Sequence, residues 1–342
     1  MKRFLSIALL LIMALSLTAC GGETTSEETP ADDSASVSGE ESSAASGDLV
    51  IYTGCGPEIT DPILELFSET YPDINVEIIK AGSGELMARI RAEVENPGGD
   101  ILLGGEPYLF EANADVFEAY VSETDQDMIM SHPDGLWHPW SVMLTPIAVN
   151  KDRLPDEADW PKNLSELADP KYAADKIAFC DPGKSGTGAT IANNIASLYG
   201  WEYIPEMLDN CEVLSGSDPM FDAVKDGTYP IGFVNEDLGL KAGLPIELIY
   251  PEDGVINTVD CLSIIKGAKN MDNAKLFIDF FGSPENHAVL VDPILRRSTR
   301  VDAPLAEGLT PTTEYNLVDA DKISRDDITD QYNAAYEQSR AN

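Results

Sequence analysis

Between Asp48 and Pro107 one unit occurs three times: an apolar run, a glycine-rich turn, then a stretch with helical spacing. Asp48–Thr53 (DLVIYT) reads as a strand. It runs through Gly54-Cys55-Gly56-Pro57 into a helix that turns Ile59, Ile63, Leu66 and Phe67 inward. Ile74–Ile79 (INVEII) alternates as a second strand. Ala81-Gly82-Ser83-Gly84-Glu85 then opens a helix carrying Leu86, Met87, Ile90 and Val94. Asp100–Leu103 is the third strand and ends at Gly104-Gly105-Glu106-Pro107. Strand, turn and helix in alternation predict an α/β protein with a parallel sheet and helices on both faces, because parallel strands need a crossover. Ligands of such sheets collect at the carboxyl ends of the strands. Thr53, Ser83, Gly84, Gly105 and Glu106 all fall there. Each alone is an ordinary turn residue; together they describe one rim.

A second rim is written in Asp181–Gly200 (DPGKSGTGATIANNIASLYG). The apolar Lys176–Cys180 before it reads as a buried strand. Gly183, Gly186 and Gly188 open a loop, and Ala189, Ala192, Ile195 and Tyr199 follow at helical spacing. First-turn N–H groups lack partners and the helix dipole favours negative charge. Ser185, Gly186, Thr187 and Gly188 therefore form a candidate anion site, or simply an N-cap. Gly183-Lys184-Ser185 is not a nucleotide P-loop, since Ala178 stands where that motif needs its first glycine. The dinucleotide glycine order is also unmet.

The chain has 342 residues, 43% of them hydrophobic, enough for one or two packed domains. A net charge of −38 excludes nucleic acid and anionic membrane surfaces as partners, since both need basic patches. Residues 1–19 read as a leader: Lys2 and Arg3, an apolar run, then Leu17-Thr18-Ala19-Cys20, which resembles a lipoprotein signal with Cys20 as the lipidated residue. Residues 20–47 are rich in Ser, Glu, Thr and Gly and read as a flexible tether. Localisation is then extracytoplasmic, with the membrane met only through the lipid. Cys55, Cys180, Cys211 and Cys261 fit two disulfides or buried thiols equally well, and no zinc spacing is present.

Leu136–Asn150 combines an aromatic cluster with an apolar strand and leads, past Pro155, into a second lobe. The expected division is lobe 1 over 48–148, lobe 2 over 149–257, a return to lobe 1 over 258–300, and a C-terminal helical segment over 301–342. Ser217-Asp218 and Glu236-Asp237 follow expected strand ends and are candidate acceptors for hydroxyl or ammonium groups. The doublet Arg296-Arg297 offers charge-assisted donors to an anion but reads first as a solvated basic face. His132, His138 and His287 are scattered and form no metal set.

Three segments resemble a known family: Asp159–Gly188, Pro230–Gly254 and Leu262–Glu285. They are similar to substrate-binding proteins of bacterial ABC importers, in the branch of ferric-ion, phosphosugar and phosphonate binders. The resemblance runs over nearly all of 48–300. It implies the two-lobe, type II periplasmic-binding-protein fold, with hinge-connected Rossmann-like lobes that close on a ligand as a monomer. It also implies delivery to a membrane permease, no cofactor and no catalytic residues. Ferric members use paired tyrosines late in lobe 2, where this chain reads Asn235-Glu236-Asp237-Leu238. The expected ligand is thus a small anionic solute, a phosphorylated sugar or organophosphonate. A ferric-ion carrier of the same fold is the first alternative and a secreted phosphate-ester hydrolase the second. The hydrolase lacks a Gly-x-Ser-x-Gly elbow and a His-Glu-x-x-His helix.

Overall fold

The computed structural model describes residues 45–173, 177–241 and 243–341. The leader, Cys20 and nearly all of the 20–47 tether lie outside the described residues. Among the described residues, twelve strands form two sheets. Lobe 1 contains β1 (Gly47–Thr53), β2 (Ile74–Lys80), β3 (Ile101–Leu103), β4 (Phe117–Glu118) and β5 (His138–Leu144). Lobe 2 contains β6 (Ile147–Asn150), β7 (Ile177–Cys180), β8 (Cys211–Leu214), β9 (Ile231–Phe233) and β10 (Ile246–Ile249). The chain then returns to lobe 1 as β11 (Asn257–Ile265) and β12 (Arg297–Ser298).

The lobe 1 sheet runs β12-β5-β11-β3-β1-β2, with β4 also on β11, and the lobe 2 sheet runs β10-β6-β9-β7-β8. Neither sheet is purely parallel, which corrects the expectation above. β1, β2 and β3 are parallel, but β11 is antiparallel to β3 and β5. In lobe 2, β7 is parallel to β8 and β9, whereas β6 is antiparallel to β9 and β10. The antiparallel strands are those by which the chain leaves or re-enters a lobe. A crossing segment has no crossover helix to restore its direction.

Period-two alternation on β1 builds two core layers in lobe 1. Leu49 and Ile51 face α1 (Pro57–Thr70), through Ile63 and Phe67. Tyr52 faces the opposite side, with Leu86 and Ile90 of α2 (Ser83–Ala92) and Phe110 of α3 (Pro107–Ala112). The lobe 2 core gathers β7, α4 (Gly186–Tyr199) and α5 (Tyr203–Leu208). The remaining lobe 2 helices near the gap are α6 (Ser217–Lys225) and α7 (Glu236–Gly239). In lobe 1, α8 (Met271–Phe281) and α9 (Pro284–Val291) follow β11. The last helix, α10 (Arg325–Ala341), joins the lobe 2 core through Ile328, Tyr332 and Ala335, so the C-terminal segment belongs to that lobe. Cys55, Cys180, Cys211 and Cys261 are all free thiols.

His287 on α9 is fully buried. Its Nδ1 lies 2.6 Å from Ser298 Oγ and its Nε2 has no partner among the described residues. Burial, and then the Arg300 charge against a smaller opposing pull from Asp302, pushes it down to about 3. A depressed histidine stays neutral when folded but takes up a proton when unfolded. Stability is therefore lost as pH falls from about 6.5 toward 3, by at most about 1.4 kcal/mol per pH unit. Replacing His287 by Gln should flatten that slope. Urea unfolding between pH 4.5 and 7 measures it, and an unchanged slope rules the account out.

Candidate functional site

Each strand–glycine–helix unit delivers a helix N-terminus to the carboxyl edge of its sheet, and the two edges face each other. Between them lies a cavity of about 400 Å³ lined from both lobes. Lobe 1 contributes the starts of α1 and α2 and the Gly104-Gly105-Glu106 turn; lobe 2 contributes the starts of α4 and α6, with Asn235 beside them. Gly104 and Gly105 hold φ of 102° and 132°, where a side chain would be strained. That turn sends β3 into α3 with Glu106 against the cavity.

One part of the wall is rich in donors. Ser185 is the N-cap of α4, and its Oγ accepts the Gly188 N–H at 3.3 Å, which leaves its own O–H to donate. The start of α2 lies directly across. A Cβ built on Gly186 would stand 3.0 Å from Ser83 Oγ. Two dipoles from two lobes thus meet at one point, each favouring negative charge.

The acceptor groups separate into those on the wall and those already committed. Glu106 is 3% exposed, lines the cavity, and its Oε1 has no partner among the described residues. Burial raises it above the ordinary carboxylate range, against the opposing charge of Arg325. Ser217 and Asp218 also line the cavity, and Asp218 receives Lys80 Nζ from lobe 1 at 2.9 Å.

Glu236 and Asp237 do not join them. Arg297 Nε and Nη2 clamp the Glu236 carboxylate at 2.6 and 2.9 Å, and Tyr250 donates to it at 2.6 Å. Asp237 lies 3.1 Å from Arg296 Nε, and both are shut from solvent. Both acids are thus held by arginines rather than facing the cavity. The Arg296-Arg297 doublet is correspondingly buried, at 4% exposure each, and is not a solvated face. Buried charges persist only when paired, and these four pair with one another. Burial lowers Arg296, but Asp237 and Asp260 outweigh it and hold the guanidinium above its ordinary value.

Three more candidates do not line the cavity. Thr53 is fully buried, donates to the Leu103 carbonyl and accepts from Cys55 N–H. Gly84 packs on the Gly183 carbonyl of the opposite lobe and Gly188 on the Cys180 carbonyl of its own. Ser83, Gly105, Glu106, Ser185, Gly186, Thr187, Ser217 and Asp218 line one cavity. Sequence reasoning missed Lys80 and Asp260 on that wall and ranked Arg296 as solvated rather than as a donor there. The doublet's place in an apolar run was a usable signal for Arg296; nothing local marked the other two.

A two-lobed α/β chain with its helix starts turned onto an interlobe cleft defines the class of periplasmic solute-binding proteins. The chain belongs to the bacterial extracellular solute-binding protein family, whose model matches residues 100–326. An uncharacterised protein of Haemophilus influenzae is 30% identical over 262 residues, covering 71% of this chain and 75% of that one. Among solved structures, the periplasmic binding protein AfuA of Actinobacillus pleuropneumoniae, with fructose-6-phosphate bound, matches at TM-score 0.75. It is 26% identical, with 86% of this chain and 98% of AfuA covered. Iron-bound HitA of Pseudomonas aeruginosa matches at TM-score 0.68 and 22% identity, over 86% and 98% of the chains. The protein is therefore an extracytoplasmic solute-binding component of an ABC importer, working with a membrane permease.

Proposed function

We propose that the cleft binds a small solute with an anionic head and a hydroxylated or cationic tail, a phosphorylated sugar or an organophosphonate. The observation that carries this is the meeting of the α2 and α4 N-termini, one from each lobe, with Ser83 and Ser185 between them. An anion placed there meets unpartnered N–H groups and hydroxyl donors. The tail meets acceptors at Glu106 and Asn235, whose Oε1 and Oδ1 are buried without partners among the described residues. The chain's net charge of −38 repels an anion at long range, but contact donors act inside the Debye length. The cavity suits a hexose phosphate in size, and AfuA's bound fructose-6-phosphate supports the class. Ferric ion is less well served: among the described residues no tyrosine lines the cavity. Cys20 and the 20–47 tether would hold the body beside its permease.

Thermal unfolding with fructose 6-phosphate, 2-aminoethylphosphonate, inorganic phosphate, fructose and ferric citrate tests this. The phosphorylated or phosphonate compounds should raise Tm, by the equivalent of about 2.7 kcal/mol at a hundredfold excess over Kd, and fructose should not. A shift with ferric citrate alone overturns the proposed ligand class. In bacterial cells, Cys20→Ser should move the protein out of the membrane fraction.

A further inference from the structure

Arg325 is the first residue of α10 and approaches the donor-rich wall from behind. Its Nη1 donates to Ser83 Oγ at 2.8 Å and its Nη2 donates to the Pro182 carbonyl at 2.8 Å. Ser83 belongs to lobe 1 and Pro182 to the lobe 2 loop that precedes α4. The guanidinium therefore ties the two facing helix starts together. It also lies beside the first turn of α4, since a Cβ on Gly186 would stand 3.5 Å from Nη1.

Two features separate Arg325 from the buried arginines of lobe 1. Arg296, Arg297 and Arg300 each pair with carboxylates. The hydrogen bonds of Arg325 go to a hydroxyl and a carbonyl, and its buried Nε has no partner among the described residues. Its positive charge is thus left uncancelled by any direct carboxylate bond. The second feature is polarity. A guanidinium carries donors and no acceptor. Ser83 Oγ must accept from Arg325, so the Ser83 O–H remains to donate, and Ser83 lines the cavity. Without Arg325 that hydroxyl could turn and present a lone pair to the ligand.

We propose that Arg325 is a positioning residue for ligand binding: it fixes Ser83 as a donor into the cleft and joins the lobes behind the anionic head. This rests on the anionic-ligand class proposed above. Ser83 then acts on the ligand only through the orientation that Arg325 imposes, so the two residues form one unit.

Isothermal titration of the full chain with fructose 6-phosphate, 2-aminoethylphosphonate and inorganic phosphate tests this as a double-mutant cycle. Arg325→Gln and Ser83→Ala should each weaken the best-bound probe by about 10- to 100-fold, the range of a charge-assisted hydrogen bond. The double variant should be no more than about 3-fold weaker than the worse single. Arg325→Lys, which keeps the charge and N–H donors but not the two-ended fork, should recover part of the loss. Should Arg325→Gln fold poorly, the Arg325→Lys and Ser83→Ala pair carries the cycle. Losses that multiply independently, or wild-type affinity in Arg325→Gln, overturn the positioning role while leaving the ligand class intact. If the unaltered chain binds none of the three probes, the ligand class is overturned and the role of Arg325 with it.

Discussion

Replacing Arg297 by alanine should lower the free energy of unfolding by about 3–5 kcal/mol, the cost of breaking a buried ion pair. Arg297 and Glu236 are each 4% exposed and held in a two-bond clamp, one from β12 of lobe 1 and one from α7 of lobe 2. Removing the guanidinium leaves a buried carboxylate with Tyr250 as its remaining partner. Arg297 Nη1 also donates to the Thr310 carbonyl at 2.8 Å, so the segment leading to α10 loses an anchor. The Lys80–Asp218 pair spans the same two lobes but is 40% and 64% exposed. Solvent screening reduces a pair like that to about 0–1 kcal/mol, and Lys80→Ala should be nearly silent. Replacing both buried partners, Arg297→Met with Glu236→Leu, should recover most of the loss, because no charge is then stranded. Urea unfolding measures all three. A loss below about 1 kcal/mol in Arg297→Ala would show that water reaches Glu236 and that the clamp contributes little.

The contrast between these pairs also explains what could be read from sequence. Local patterns carried the two α/β lobes and the helix starts. Leu49, Ile51 and Tyr52 alternate because a strand alternates, and Ser185 precedes a helix because its hydroxyl can cap one. Position along the chain also placed Glu106 after a strand. What stayed hidden depends on residues far apart. Arg297 and Glu236 are 61 positions apart, and Arg325 and Ser83 are 242 apart. A pattern of a few residues holds no information about such partners. Glu236-Asp237 has the same local setting as a cleft carboxylate, and only the arrival of two arginines from the other lobe separates the two outcomes. The same cause hid the mixed sheets, since β11 enters between β3 and β5 only after the chain has traversed lobe 2.

Gly82→Ala should weaken ligand binding by about 5- to 150-fold while leaving the fold intact. A Cβ at Gly82 would stand 2.5 Å from the Lys184 carbonyl oxygen, and one at Gly84 would stand 2.6 Å from the Gly183 carbonyl oxygen. Both obstacles are main chain of the opposite lobe and cannot rotate away. Gly82 itself sits at φ −63°, ψ 145°, a conformation open to any residue, so alanine brings no local strain. The cost falls on the approach of the lobes alone. An added methyl against packed backbone costs about 1–3 kcal/mol, which sets the range of affinity loss. The ligand-free protein can relieve the clash by parting the lobes, so its Tm should barely move. Its radius of gyration, by small-angle X-ray scattering, should rise and should contract only at a correspondingly higher concentration of fructose 6-phosphate. If Gly82→Ala lowers Tm with the radius unchanged, the glycine serves α2 rather than closure. If binding and radius both match the unaltered chain, the lobes hold the ligand without meeting at this point, and the convergence of α2 with α4 is not the gripping contact.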